Sequence, residues 1–141
     1  MNKNGPIVII EDDLDDQALL GEVFKELNYS NEIKFFTEGD KALEYLAEDN
    51  VHPFIVLSDI NLPKHNGFVL RNIVQTSEPM SKKSIPYIFF STSVNEAAVI
   101  EGYRLSAQGF FLKPQNYAHL LKTMRVIVDY WKECYSPSGY F

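Results

Sequence analysis

The chain has 141 residues, of which 45% are hydrophobic and 23% are charged. At roughly 100 to 200 residues per domain, this length predicts one domain with one core, and the composition excludes a disordered chain. Thirteen basic against nineteen acidic residues give a formal net charge of -6, the wrong sign for a protein that binds nucleic acid through its phosphates.

No basic-then-apolar signal opens the sequence, and no apolar run approaches the roughly 20 residues that span a bilayer. We therefore expect a cytoplasmic protein that contacts neither membrane nor DNA directly. The single cysteine, Cys134, has no partner for an internal disulfide, which agrees with a reducing compartment.

Five short apolar runs predict five β-strands. They lie at residues 7–10, 33–36, 54–57, 87–90 and 110–112. Because they lack the in/out alternation of a half-exposed strand, we expect all five to be covered on both faces, as in a parallel sheet.

Apolar residues at helical spacing follow each strand. They predict five helices, marked by Leu20 to Leu27, by Ala42 to Ala47, by Val69 to Val74, by a capping-box spacing from Ser93 to Glu96, and by Tyr117 to Cys134. Since right-handed crossovers place helices on both faces, this order predicts a doubly wound (βα)5 sheet of the α/β class. We expect one domain over residues 1–141, with its core at about 6–134 and a short tail at 135–141.

Acids, a hydroxyl and a lysine directly follow the predicted strands. Because ligands of open α/β sheets bind beyond the carboxyl ends of the strands, we expect these side chains at one edge. They are Glu11, Asp12 and Asp13 after the first strand, Asp59 after the third, Ser91, Thr92 and Ser93 after the fourth, and Lys113 after the fifth. Several carboxylates brought together cannot all stay ionised at low cost, and a hard divalent cation is the simplest remedy.

Other polar residues have a simpler interpretation. Acids at the start of a helix are usually solvated and favoured by the helix dipole, and we expect this of Asp15 and Asp16. The histidines His52, His65 and His119 have no second ligand at metal-site spacing. They are expected to be ordinary loop or surface residues.

The joint pattern resembles the receiver domains of response regulators in two-component signalling. The resemblance covers about residues 6–130. It rests on Ile7 to Asp13, on Ser58 to Pro63 with Asn66 and Gly67, on Phe90 to Thr92, and on Gly109 to Pro114. It implies a flavodoxin-like sheet with strand order 2-1-3-4-5, in a chain of the stand-alone type.

The resemblance also implies a role for each residue at the strand ends. Asp59 would accept a phosphoryl group from a histidine kinase or a phosphotransfer protein, with Mg²⁺ as cofactor. The implied metal ligands are Glu11, Asp12, Asp59 and the backbone carbonyl of Asn61, and the implied catalytic and switch residues are Lys113, Ser91 and Phe110. The chain would be no conventional enzyme, because it catalyses only its own phosphorylation and dephosphorylation.

Readout is implied at the surface formed by the fourth helix, the fifth strand and the fifth helix. The Ser91 hydroxyl would move toward the phosphoryl group and Phe110 would turn inward, which changes contacts with a downstream protein. Ser91 in place of the more usual Thr, Phe110 in place of Tyr and Glu11 in place of Asp depart from the common pattern without removing the chemistry. A cis peptide bond between Lys113 and Pro114 is implied as well.

Two other classes of function compete with this interpretation. A pseudo-receiver would bind partners without phosphorylation. The simultaneous presence of four residues argues against it, namely Asp59, Asp12, Ser91 and Lys113. A dehalogenase-type phosphatase needs an acid where Asn61 stands, and a flavodoxin would have to bind phosphate beside Glu11. Enzymes on the same kind of sheet are therefore disfavoured.

Aromatic residues concentrate at the end of the sequence. They are Tyr130, Trp131, Tyr135, Tyr140 and Phe141. Core packing with a frayed tail is the simpler interpretation, and a docking or homodimer surface is the alternative.

Overall fold

The structure is a computed structural model that describes residues 1–92 and 94–136. In chain order its elements are β1 (Ile7–Ile10), α1 (Leu14–Leu27), β2 (Ile33–Phe36), α2 (Gly39–Ala47), β3 (Ile55–Ser58), α3 (Gly67–Thr76), α4 (Glu78–Ser81), β4 (Tyr87–Ser91), α5 (Glu96–Arg104), β5 (Gly109–Leu112) and α6 (Tyr117–Glu133). Ser93, Tyr140 and Phe141 lie outside the described residues.

The five strands form one parallel sheet in the order β2-β1-β3-β4-β5. This confirms the doubly wound α/β fold and the strand order that the family resemblance implies. Each strand lies within one residue of its predicted position. The neighbours β1 and β3 lie at the point where the strand order reverses, which is where open sheets of this kind bind ligands.

Alternation along the strands divides the core into two layers. Ile7 and Ile9 of β1 pack with residues of α1 and α6, while Val8 and Ile10 pack with residues of α2 and α3 on the other face. The stripe predicted on the last helix is confirmed by its buried residues, which are Leu120, Met124, Ile127 and Val128. None of the helices within residues 1–92 and 94–136 has the length and apolar character needed to cross a bilayer.

The edge strands differ from the expectation. Every residue of β1, β3 and β4 is buried. The residues of β2 are only half-buried, and Leu112 of β5 is 58% exposed. The prediction that all five strands are covered on both faces is therefore wrong for β2 and β5. These are the edge strands, and each has a neighbouring strand on one side alone.

A one-turn helix, α4, follows α3 and was not predicted. Pro79 lies in its first turn. Proline is tolerated there because the N–H groups of the first turn have no partner within the helix, so the missing N–H costs no hydrogen bond. The fourth and fifth predicted helices are consequently α5 and α6. Helix α5 begins after Asn95, whose side chain accepts a hydrogen bond from the Ala98 amide, whereas the predicted cap, Ser93, is not among the described residues.

A buried arginine links α3 to the end of α5. Arg71 is 6% exposed, and it donates from Nε to the Leu105 carbonyl at 2.9 Å and from Nη2 to the Ser106 carbonyl at 2.7 Å. Its guanidinium carbon lies 5.3 Å from the centroid of the Tyr87 ring. Because these carbonyls follow the last turn of α5, Arg71 fixes that end of the helix against α3.

Gly67 lets α3 begin directly against the segment that follows β3. Its amide donates to the Ile60 carbonyl at 2.7 Å. A Cβ atom at this position would lie 2.2 Å from the Asp59 carbonyl oxygen. Only glycine permits so close an approach between two backbones.

We expect Gly67→Ala to lower the free energy of unfolding by about 1 to 3 kcal/mol, because its methyl group would overlap the Asp59 backbone. Gly21→Ala is the matched control. Gly21 lies within α1, and a Cβ there would meet no atom within 4 Å, so this variant should gain up to about 1 kcal/mol from helix propensity. Urea unfolding of both variants measures the difference. Equal stabilities would show that α3 does not depend on this approach.

Candidate functional site

The sheet itself fixes the positions of the site residues. The amide of Glu11 donates to the last carbonyl of β2 at 2.9 Å, that of Asp59 to the last carbonyl of β1 at 3.0 Å, and that of Lys113 to the last carbonyl of β4 at 2.9 Å. Each residue thus stands one step beyond its strand while its backbone remains in register with the neighbouring strand. The three side chains emerge at the same edge, as predicted.

The Lys113 ammonium group joins three carboxylates. Its Nζ donates to Glu11 Oε1, to Asp16 Oδ2 at 3.1 Å and to Asp59 Oδ2 at 3.1 Å. Lys113, Glu11 and Asp59 are all buried. Since an ammonium group carries three N–H donors, these acceptors match its full capacity.

Two backbone amides orient the Asp59 carboxylate. Oδ1 accepts hydrogen bonds from the amide of Ile60 at 2.7 Å and from that of Asn61 at 3.2 Å. Oδ2 is held by Lys113 on the other side. The carboxylate is therefore fixed in direction and partly neutralised before any ligand arrives.

Three acids at this edge have the geometry of a cation site. Glu11, Asp12 and Asp59 each present a carboxylate oxygen, and these oxygens lie within 4.8 Å of one another. Glu11 Oε2 is buried and accepts no hydrogen bond from the described residues. Oxygen ligands at this spacing, one of them otherwise unsatisfied, fit a hard divalent cation such as Mg²⁺.

Burial and crowding alter the ionisation of these groups. Burial raises the pKa of Glu11, and the neighbouring carboxylates of Asp16 and Asp59 add to that rise, against the opposing effect of Lys113. Burial lowers the pKa of Lys113, but the Glu11 hydrogen bond and the charges of Asp59 and Glu11 outweigh it and raise that pKa overall. The ammonium group stays charged among more acids than it can neutralise.

An open cleft of about 560 Å³ leads to these groups. Its walls include Asp12, Asp16, Asn61, Thr92 and Lys113. The cleft therefore gives a small anionic group access to both Asp59 and the ammonium group of Lys113.

The two predicted switch residues lie on neighbouring strands behind the site. Ser91 is fully buried at the end of β4, one residue before the exposed Thr92. Phe110 of β5 is half-buried, with its ring centroid 5.7 Å from that of Phe89. A Cβ atom on Gly102 of α5 would lie 2.9 Å from the Phe110 ring, so this ring rests directly on the helix.

The expectation of a cis bond before Pro114 is wrong. No peptide bond in the described parts of the chain is cis. The Lys113 ammonium group nevertheless reaches Asp59, because the long side chain spans the distance from a trans backbone.

Residues 7–125 match the model of the response regulator receiver domain family. The chain belongs to this family. The response regulator Rcp1 of Synechocystis sp. is 32% identical to it over 133 residues, which cover 90% of this chain and 88% of Rcp1.

Solved structures of receivers agree with this assignment. The phosphorylated cyanobacterial phytochrome response regulator RcpA is 25% identical, with a TM-score of 0.83, and the match covers 94% of this chain and 97% of RcpA. The Mn²⁺-bound form of Rcp1 is 28% identical, with a TM-score of 0.80. The match covers 93% of this chain and 97% of the Rcp1 chain.

Asp16 is the site residue of this receiver that the sequence interpretation missed. It was expected to be only a solvated helix acid; it is partly exposed in the first turn of α1, but it also accepts a hydrogen bond from Lys113. Partial burial raises the pKa of Asp16, while the neighbouring Glu11 and the hydrogen bond from Lys113 outweigh this and lower it. Its position was a usable signal, because Asp13 caps α1 and a side chain in the following turn leans back toward the helix start.

We expect Asp12→Asn to weaken Mg²⁺ binding by about 10-fold or more, because it removes a charged ligand from the three-acid cluster. Asp13→Asn removes the same charge at the next residue, which is not a member of that cluster, and keeps a side chain that caps α1 equally well. Isothermal titration with Mg²⁺ compares the two. Equal losses would mean that only the total charge attracts the cation.

Proposed function

We propose that this receiver accepts a phosphoryl group on Asp59, with Mg²⁺ held by Glu11, Asp12, Asp59 and the backbone carbonyl of Asn61. The observation that supports this most directly is the buried Asp59 carboxylate, bonded to the Lys113 ammonium group beside a cluster of acids. An aspartate in such surroundings is oriented for attack on an anionic centre.

The transfer exchanges one bond to phosphorus for another. An Asp59 carboxylate oxygen forms a bond to phosphorus while the bond from phosphorus to the donor breaks, and the electron pair of that bond leaves with the donor atom. With a phosphohistidine donor the broken bond is to an imidazole nitrogen. The product on the receiver is an acyl phosphate.

Positioning and charge compensation provide the catalysis, because the transition state of phosphoryl transfer is loose and rich in negative charge. Bound Mg²⁺ would supply neutralisation of the phosphoryl oxygens. Lys113 would donate a charge-assisted hydrogen bond to one of those oxygens. The amides of Ile60 and Asn61 keep the attacking carboxylate in place. Catalysis is limited to the chain's own phosphorylation and dephosphorylation.

The proposed donor is a sensor histidine kinase or a phosphotransfer protein in the cytoplasm. RcpA is described as a phytochrome response regulator, and similarity to RcpA and Rcp1 favours a phytochrome-type kinase as the donor. We further propose that residues 1–141 act as a single receiver that signals through contacts with a downstream protein.

We expect acetyl phosphate with Mg²⁺ to add one phosphoryl group to the wild-type chain, and Asp59→Asn to take up none while keeping the fold. The amide cannot form the acyl phosphate. Intact mass measurement reads incorporation directly. Asp13→Asn, which lies outside the metal cluster, serves as the control and should still be labelled. Full labelling of Asp59→Asn would remove Asp59 from this role.

The proposed readout runs from Ser91 through Phe110 to the surface of α5, β5 and α6. A phosphoryl oxygen offers the Ser91 hydroxyl a charge-assisted hydrogen bond and draws it inward. The Phe110 ring, which rests on Gly102, would then turn further inward and change the position of α5 on the sheet. A ligand shifts such an equilibrium only by its differential affinity for the two arrangements.

We expect Ser91→Ala to bind the phosphoryl mimic beryllofluoride at Asp59 but to pass less of the change to the output surface. Loss of the hydroxyl removes the link between the site and Phe110. Amide NMR shifts of residues 94–134, with and without the mimic, measure the response in both proteins. Equal responses in wild type and Ser91→Ala would exclude the hydroxyl as the coupling element.

A further inference from the structure

Asp16 holds a place at the site that differs from those of the other acids. Its carboxylate lies 3.1 Å from Lys113 Nζ, and its side chain is 39% exposed. Glu11 and Asp59, which bind the same ammonium group, are 2% and 9% exposed at their side chains. Asp16 is thus the solvent-facing acceptor of the three.

We propose that Asp16 competes with the phosphoryl group for the ammonium group of Lys113, and thereby sets how tightly the site retains a phosphoryl group on Asp59. This inference rests on the proposed function. It assigns Asp16 the role of a positioning residue that acts through Lys113.

The first argument is the count of hydrogen-bond donors. The ammonium group has three N–H donors, and three carboxylates accept from it in this structure. A phosphoryl group on Asp59 consumes the Asp59 carboxylate and can take over the N–H that it accepted, so any further hydrogen bond from Lys113 to a phosphoryl oxygen must be shared with, or displace, Glu11 or Asp16. Any acceptor that gives way must find another partner.

The second argument identifies which acceptor gives way. Glu11 is almost wholly buried, and water cannot take the place of its ammonium partner. Asp16 faces the open cleft, where water can take the place of Lys113. Displacement of Asp16 therefore costs less than displacement of Glu11.

The third argument is charge. Asp16 shares the cleft with Asp59, so its carboxylate repels an anionic phosphoryl group as well as occupying the ammonium group. Asp16 is also held in place, because its backbone amide donates to the Asp13 cap at 3.0 Å. It lies in the first turn of α1, where the helix dipole favours a negative charge.

Asp15 provides a matched comparison for Asp16. It carries the same charge, lies in the same turn and lines the same cleft, but it is exposed and does not contact Lys113. Replacement of either aspartate by asparagine changes the total charge equally. Only Asp16→Asn removes the charge of an acceptor that binds the ammonium group.

The test is the affinity for beryllofluoride at saturating Mg²⁺, measured by titration on the full chain. Asp16→Asn and Asp16→Ala should each bind it about 3- to 5-fold more tightly than wild type, the range of a partly exposed ion pair. Asp15→Asn should change the affinity by less than about 2-fold, since Asp15 is exposed to solvent and accepts no hydrogen bond from Lys113. Thermal unfolding of each variant confirms that the protein is folded.

A double-mutant cycle tests whether the effect passes through Lys113. In a Lys113→Met background, Asp16→Asn should gain no more affinity than Asp15→Asn, because no ammonium group remains to be released. A purely structural role of Asp16 would leave its effect unchanged in that background. If Lys113→Met does not fold, the comparison between the Asp15 and Asp16 variants still decides the proposal.

Two results would overturn the inference while leaving phosphorylation at Asp59 intact. Weaker binding by both Asp16 variants would show that this carboxylate supports Lys113 rather than competing for it. Equal affinities for the Asp15 and Asp16 variants would show that only total charge matters. Failure of the wild-type chain both to bind beryllofluoride and to take up a phosphoryl group would instead refute the proposed function.

Discussion

The ion pairs of Lys113 hold the functional edge of this receiver together. The sheet brings the segments after β1, β3 and β5 near one another, and the ammonium group then bonds their side chains and that of Asp16. Buried carboxylates such as Glu11 and Asp59 are costly without a partner, and Lys113 supplies one for each. With Asp12 beside Glu11 and Asp59, four acids share this edge with one ammonium group. The remaining excess of negative charge is what suits this edge to a divalent cation.

Sequence patterns predict most of this arrangement for a simple reason. Glu11, Asp59 and Lys113 each stand one residue beyond a strand, so finding the apolar runs also finds the residues that share an edge. The register of the parallel sheet then aligns these residues with one another, because the amide of each donates a hydrogen bond to the neighbouring strand. The long apolar stripe of α6 is equally readable, since it spans several turns.

Features that depend on orientation are harder to predict. Asp16 contacts a residue 97 positions away, and the contact requires the direction of α1 as well as its existence. Arg71 lies beside apolar neighbours on α3 and finds its acceptors only where α5 ends. The partial exposure of β2 and β5 follows from their positions at the edges of the sheet. The apolar runs do not show which strands lie at the edges. The cis bond before Pro114 came from the family resemblance rather than from local residues, and it is absent here.

Helix α5 is the element through which a change at the site can be transmitted, because little holds it. Gly102 is its only buried residue within the described chain. Its last turn rests on the Phe110 ring at Gly102, and the segment directly after the helix is fixed by Arg71. Elements with few buried contacts have the lowest cost of local rearrangement. A movement of Phe110 therefore acts close to the Arg71 attachment, so α5 is expected to swing about its C-terminal end, with its N-terminal turns moving most.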